Sequence, residues 1–129
     1  MWRLFPKREW YEPKRRDQRA KEGLGALTLD ETLQAAADLR AEETGQVFSH
    51  TRPDGTKCFT VLEQFGIRYG AAGENIAAGY GSAAAVVEGW MNSEGHRANI
   101  LSLPFHKLGV GFAEADDEYG YYWTQLFTD

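Results

Sequence analysis

A chain of 129 residues and 14.5 kDa has the size of one domain with a single core, and 43% hydrophobic and 13% aromatic residues exclude general disorder. No apolar run approaches the roughly 20 residues of a membrane span, which excludes a transmembrane segment. The net charge is −5, and because residues 1–22 carry +4 the rest of the chain carries −9, which argues against a nucleic-acid partner.

The first part of the chain predicts an aromatic lead-in and a short helix. Residues 1–13 combine Trp, Phe and Tyr with two prolines, which favours an irregular segment that packs against the domain. They also lack the apolar centre of a secretory signal, so the chain as given carries no export signal and is expected to be a domain of a longer precursor. Residues 14–22 have a helical composition, and Gly23 and Gly25 are expected to end that helix.

A second helix is predicted from a capping-box pattern. The Thr28 hydroxyl can accept a hydrogen bond from the backbone N–H of Glu31 while the Glu31 carboxylate reaches back. Leucines and alanines at helical spacing continue an apolar stripe to about Glu43, and Thr44 with Gly45 is expected to close the helix.

A turn and a third helix follow. Residues 49–55 contain Pro53, which restricts φ, Asp54, which can bond to its own backbone, and Gly55, which tolerates positive φ. A helix is then predicted over residues 56–65, ended by Gly66. It contains Cys58, the single cysteine, so no internal disulfide can form, and a small core residue is the favoured interpretation over a nucleophile.

The next segment predicts a strand and a helix that presents a histidine. Residues 70–79 are small and punctuated by glycine, which suits a short strand or a tight approach of backbones better than a helix. Ser82 offers an N-cap for the helix that follows. Val86, Val87 and Trp90 fall on one buried helical face. Gly95 is predicted to end this helix, so that His96 emerges just beyond it.

The last segment carries a clear hairpin pattern. Alternating apolar residues at 108–114 and an aromatic run at 121–127 flank a polar loop of about five residues. Helices in the first part and strands at the end indicate an α+β fold, and no internal repeat is present.

Four polar residues lie at ends of predicted elements beside glycines: His50, Glu74, Glu94 and His96. A lone histidine is more often a hydrogen-bonded structural residue than a ligand, and a lone glutamate is usually solvated. Only the combination indicates a site. His106 lies outside this pattern and is interpreted as a surface residue.

The sequence resembles the CAP superfamily, which comprises cysteine-rich secretory proteins, antigen 5 and pathogenesis-related proteins, and most of all its bacterial SCP-like members. The matching blocks, between about residues 15 and 127, are 48–50 with 52–55, 73–77, 90–101, 108–111 and 122–127. The resemblance implies one domain over residues 1–129, a three-layer α-β-α sandwich with a central antiparallel sheet, and an extracellular or cell-envelope location.

The resemblance also implies an open cavity with two histidines and two acids, which in some members binds a divalent metal. His50 and His96 match the histidines and Glu74 matches the first acid. The resemblance favours Glu94 over Glu88 as the second acid, because in eukaryotic members the acid falls a few residues after the tryptophan that Trp90 matches. Glu88 also lies about 200° around the helix from Trp90, nearer the solvent side if Trp90 faces the core.

Two functions from different classes remain open. The preferred one is a non-enzymatic binding domain whose cavity holds a divalent metal, such as zinc, or a small ligand or cell-envelope component. The alternative is a metal-dependent hydrolase in which His50 and His96 hold the metal and Glu74 is the general base toward a metal-bound water. Glu94 would be the second catalytic residue of such an enzyme. No Gly-x-Ser-x-Gly or His-Glu-x-x-His motif supports the enzyme.

Overall fold

The computed structural model describes residues 19, 24–25 and 27–129 of the chain. The predicted aromatic lead-in lies outside the described residues, as does the predicted first helix apart from Arg19. In the described part, four helices and four strands follow one another: β1 (Thr28–Leu29), α1 (Glu31–Gln46), α2 (Thr60–Gln64), β2 (Ala72–Ala78), α3 (Ala83–Met91), α4 (Glu94–Ile100), β3 (Lys107–Glu114) and β4 (Tyr121–Thr128).

The strands form one mixed sheet in the order β1-β3-β4-β2. Strands β3 and β4 are the predicted hairpin, in which Lys107 lies opposite Thr128 and Glu114 lies opposite Tyr121. Strand β2, also predicted, pairs antiparallel with β4, whereas β1 pairs parallel with β3. The α+β prediction is therefore confirmed, although the short parallel strand β1 makes the sheet mixed rather than purely antiparallel.

Helices cover both faces of the sheet, which gives the three layers. Helices α1 and α2 share one buried cluster with β4, which contains Leu33, Leu62 and Leu126. Helices α3 and α4 share the other with β3 and β4, and Trp90 lies within it beside Val86, as the helical spacing predicted. Within the described residues no helix is long and apolar enough to cross a bilayer.

The start and end of α1 differ from the prediction. Thr28 is not a cap: its N–H donates to the His106 carbonyl (2.9 Å), because it belongs to strand β1. Asp30 caps the helix instead, and its carboxylate accepts from the Leu33 N–H (2.8 Å). Thr44 does not end the helix either, since its hydroxyl donates to the Ala41 carbonyl and the helix continues to Gln46.

The helix boundary at Gly95 was also predicted wrongly. Helix α3 begins at the predicted cap Ser82, which accepts from the Ala85 N–H (3.1 Å), but it ends at Met91. Gly95 lies inside α4 and does not have a positive φ. His96 is therefore in the first turn of a second helix, whose start is marked by Ser93 rather than by a glycine.

The turn chemistry is confirmed, while helix α2 is shorter than predicted. Gly55 has a φ of 89°, and the Asp54 carboxylate accepts from the Thr56 N–H (2.9 Å). Gly66, with a φ of 70°, follows α2 and donates to the Glu63 carbonyl. The helix starts only at Thr60, because the preceding residues form turns.

Candidate functional site

A cavity of about 570 Å³ opens beside strand β2, which is an edge strand of the sheet. Its walls come from the segment after α1, from the end of β2 and from α3 and the start of α4. The lining residues are Phe48, Ser49, His50, Ile76, Ala77, Ala78, Tyr80, Gly89, Trp90, Ser93 and His96. Most of this surface is apolar, and the two predicted histidines supply its imidazole groups.

His50 is held from behind by Glu74. Its Nδ1 lies 2.8 Å from Glu74 Oε1, and the His50 side chain is 56% exposed whereas that of Glu74 is 1% exposed. A carboxylate only accepts hydrogen bonds, so this contact places the proton of a neutral His50 on Nδ1. The Nε2 lone pair is then the one available to a ligand.

The Glu74 carboxylate is itself held by a buried arginine. Arg40 donates from Nε to Glu74 Oε2 (2.7 Å) and from Nη2 to Glu74 Oε1 (3.0 Å), and its side chain is fully buried. Burial lowers the pKa of Arg40, but hydrogen bonds and charge interactions with Glu74 and Glu43 outweigh that effect, so the pKa lies above its ordinary value. The two charges therefore compensate each other inside the protein.

A second ion pair fixes the loop that presents His50. Arg52 donates from Nη2 to Glu43 Oε2 (2.7 Å), and Arg40 donates to Glu43 Oε1 (2.9 Å). Burial raises the pKa of Glu43, but Arg52 and Arg40 outweigh it, so the pKa is lowered. Arg40 also donates to the Ser49 carbonyl (2.8 Å), so the residue next to His50 is anchored directly.

Sequence reasoning missed Arg40 and Glu43, although one signal pointed to Arg40. The buried positions of α1 include Ala36, Ala37, Arg40 and Ala41, so the arginine interrupts an apolar stripe. A charged residue at a core position of a helix needs a buried partner, and that requirement could have identified it.

His96 is held by different contacts. Its Nδ1 lies 2.9 Å from Ser93 Oγ, and its backbone carbonyl accepts from Asn75 Nδ2 (3.0 Å). Asn75 is buried and also donates to Gln125 Oε1 (2.7 Å), which connects α4 to the sheet. Burial lowers the pKa of His96 and the charge of His50 lowers it further, so His96 is neutral at pH 7.

Of the predicted acids, only Glu74 belongs to this arrangement. It lies behind His50 rather than on the cavity wall. Glu94, at the start of α4, and Glu88, on α3, are both exposed, and neither lines the cavity.

Cys58 is buried close to the same carboxylate. The ligand atoms of His50, Cys58 and Glu74 lie within 4.8 Å of one another, and this is the one such group of three among the described residues. Burial, together with the charge of Glu74, raises the pKa of the Cys58 thiol to about 12. The thiol is therefore protonated at neutral pH, in agreement with its interpretation as a core residue.

The fold and the cavity together define a class: a three-layer α-β-α domain with two histidines at a cavity on the sheet edge. The chain belongs to the cysteine-rich secretory protein (CAP) family, whose model matches residues 14–127. This confirms the resemblance found in the sequence.

Three similar proteins illustrate the relationship. The chain is 43% identical over 112 residues to "Uncharacterized protein YkwD" of Bacillus subtilis (strain 168), a match that covers 85% of this chain and 42% of that protein. It superposes on an extracellular protein containing an SCP domain from Bacillus anthracis with a TM-score of 0.82 and 30% identity, and the match covers 93% of this chain and 39% of that protein. It also superposes on an outer surface protein of Borrelia burgdorferi with a TM-score of 0.85 and 21% identity, and the match covers 96% of this chain and 92% of that protein. The chain thus spans less than half the length of the curated relative.

Proposed function

We propose that this domain is a non-enzymatic binding module of the extracellular space or cell envelope, and that its cavity binds a divalent metal through His50 and His96. The location is supported by the relatives from Bacillus anthracis and Borrelia burgdorferi, which are described as extracellular and outer-surface proteins. The single observation that carries the metal proposal is that both imidazoles line one cavity while each Nδ1 has a protein partner.

The donor set fits zinc. Neutral imidazole is a common zinc ligand, and a carboxylate on the second ring nitrogen, as Glu74 provides for His50, orients the ring and raises its basicity. The lowered pKa of His96 favours the neutral form that binds metal. When bound by two protein ligands, a zinc ion would offer open coordination positions to a small ligand in the cavity.

The alternative, a metal-dependent hydrolase, has less support. A general base must lie close to the attacking water, but Glu74 is buried, does not line the cavity, and is held by hydrogen bonds from Arg40 and a contact with His50. Glu94 is exposed and does not line the cavity. Glu74 is accordingly proposed as a positioning residue for His50. Hydrolysis of peptide or ester substrates by zinc-loaded protein, lost in Glu74→Gln but not in Glu94→Gln, would favour the enzyme instead.

Zinc titration by calorimetry at pH 7.5 tests the proposal. His50→Ala and His96→Ala should each weaken zinc binding by at least about tenfold, because each removes one of two ligands. The matched control is His106→Ala, which changes the remaining histidine, an exposed one, and should bind zinc as the wild type does. Equal binding by all four proteins would refute the site.

Cys58→Ala separates two possible metal positions that share His50. If zinc lies between His50 and His96, this variant keeps its affinity. A loss of affinity in Cys58→Ala but not in His96→Ala would place the metal at the buried group of His50, Cys58 and Glu74.

A further inference from the structure

A second pocket, of about 300 Å³, lies on the other helical layer, away from the histidine cavity. It is bounded by the first turn of α1, by residues 65–68 after α2, and by the adjacent ends of β3 and β4. We infer that this pocket binds the phosphate monoester group of a small hydroxylated molecule, such as a phosphorylated polyol or sugar. This inference is independent of the function proposed for the histidine cavity.

A buried hydroxyl without a partner faces this pocket. Thr128 is 1% exposed, and its Oγ1 has no hydrogen-bond partner. Side chains alternate along a strand, so Thr128 shares a face with Leu126, which packs against the α1 and α2 layer that bounds the pocket. Burying an unsatisfied hydroxyl costs stability, and a ligand oxygen in the pocket would supply the missing partner.

Two cations lie at the same pocket. Lys107 is the cross-strand partner of Thr128 and therefore lies beside it, and Arg68 comes from the loop opposite. Both side chains are exposed, and neither forms an ion pair with another described residue. Two positive charges match a phosphate monoester, which carries close to two negative charges at neutral pH, and a guanidinium can bind phosphate through two parallel hydrogen bonds.

The acid in the pocket explains why the ligand should carry hydroxyl groups. Asp30 lines the wall, and its Oδ1 caps α1 at Leu33. Its second oxygen has no hydrogen bond to a described residue and can accept one from a ligand hydroxyl. The neighbouring acid Asp129 is engaged elsewhere, by the N–H groups of Gly70 and Ala71. Asp30 would repel an anion without hydroxyl groups. A phosphate monoester that carries hydroxyl groups would instead donate a hydrogen bond to the Asp30 carboxylate.

The test is an NMR titration of the 15N-labelled chain in phosphate-free buffer. Glycerol 3-phosphate should shift the backbone amides of Thr32, Lys107 and Thr128 saturably and bind several-fold more tightly than inorganic phosphate, while glycerol alone should cause no shifts there. The variant Asp30→Asn retains a capping side chain. It should reduce the difference in affinity between glycerol 3-phosphate and inorganic phosphate, because it removes the charge that repels inorganic phosphate.

Three variants make the outcome decisive. The double variant Arg68→Gln/Lys107→Gln should bind glycerol 3-phosphate at least tenfold more weakly, and Thr128→Val about three- to tenfold more weakly without a fall in its thermal midpoint. Lys57→Gln, the control at an exposed lysine outside the pocket, should bind as the wild type does. Unsaturable shifts, or equal affinity of the double variant and the control, would overturn the inference.

A further arm distinguishes the source of the phosphate group. Vesicles containing phosphatidic acid present the same monoester on a lipid. If they retain the wild type but not the double variant, the phosphate comes from a lipid headgroup. If glycerol 3-phosphate binds and the vesicles retain neither protein, the ligand is a soluble molecule. Either outcome supports a phosphate-binding site in this pocket.

Discussion

The two faces of the sheet are packed by different means. On the α1 face the helix backbone lies directly on the sheet: a Cβ at Gly109 would collide with the Leu33 carbonyl, and one at Gly111 with the Ala37 carbonyl. On the α3 and α4 face, large aromatic side chains fill the space, and Phe112 packs on Trp123 with ring centroids 4.6 Å apart.

The same contrast extends to the two histidines of the cavity. His50 belongs to the α1 side and is held by charge, through Glu74 and the buried Arg40. His96 belongs to the α3 and α4 side and is held by neutral groups, Ser93 and Asn75, on a helix that packs through apolar residues. One cavity is thus supported by an ionic network on one side and by apolar packing on the other, and the two supports should respond differently to mutation and pH.

The largest effect is expected from the apolar side. Trp90→Ala should lower the free energy of unfolding by about 3–5 kcal/mol, because it leaves a large void and leaves the Ile76 carbonyl without its indole donor. Chemical denaturation measures this loss, with Leu103→Ala, at an exposed apolar residue outside both buried clusters, as a control that should change stability by less than about 0.5 kcal/mol. An unchanged denaturation midpoint for Trp90→Ala would contradict the role given to this side chain.

The ionic side should show a loss that depends on pH. Arg40→Leu should cost about 3 kcal/mol at pH 7, because it leaves the Glu74 carboxylate buried without its counter-charge. Acidification protonates carboxylates and should reduce this loss, whereas the loss in Trp90→Ala should not depend on that protonation.

The double variant Arg40→Leu/Glu74→Gln is the control for charge. It removes both charges and should recover much of the stability that Arg40→Leu loses. A loss in Arg40→Leu that is constant from pH 7 to pH 4.5 would mean that packing, rather than the pairing of charges, is the main contribution of Arg40.

Zinc binding should weaken on acidification. Protons compete for the imidazole nitrogens, so with two histidine ligands the affinity should fall by up to roughly a hundredfold per pH unit well below both pKa values. Because burial and the charge of His50 lower the pKa of His96, proton competition at His96 is shifted to lower pH than at an ordinary histidine. Calorimetry between pH 5 and 7.5 measures this slope.

The single-histidine variants provide the comparison for that experiment. His50→Ala and His96→Ala should each flatten the slope to about tenfold per pH unit, because one titrating ligand remains. Wild-type affinity that is equal at pH 5 and pH 7.5 would exclude histidine ligation.

The smallest effect expected concerns the acids. Glu74→Gln should weaken zinc binding by about tenfold, because the amide supports His50 less well than a carboxylate does. Glu94→Gln, at an exposed position outside the cavity, should stay within about twofold of the wild type. Zinc calorimetry at pH 7.5 compares them, and a larger loss in Glu94→Gln would restore Glu94 as the second acid of the site.

Several elements could be predicted from the sequence because the deciding interactions are local. Asp54 and Gly55 determine their turn through hydrogen bonds and φ values within four residues, and Ser82 caps α3 from three residues away. The hairpin of β3 and β4 joins neighbouring segments, so alternation of apolar residues was enough to place it.

The wrong predictions arose where tertiary contacts outweighed local propensity. The capping pattern of Thr28 and Glu31 is reasonable in isolation, but pairing of Thr28 with Lys107 of β3 moved the cap to Asp30. Gly95 is a typical helix terminator, yet its helix had already ended at Met91, and the glycine was included in the next one.

By itself, the sequence determined the α+β class and the family, and it singled out His50, Glu74, Glu94 and His96 as candidate site residues. Only the tertiary structure decided how they are arranged: it joined Arg40 to Glu74, 34 positions away, placed both imidazoles on one cavity, and left Glu94 in solvent. The physical reason is that a buried charge can be accommodated only beside its partner. The packing of the helices on the sheet determines which residue lies beside the charge, and no local sequence pattern predicts that residue.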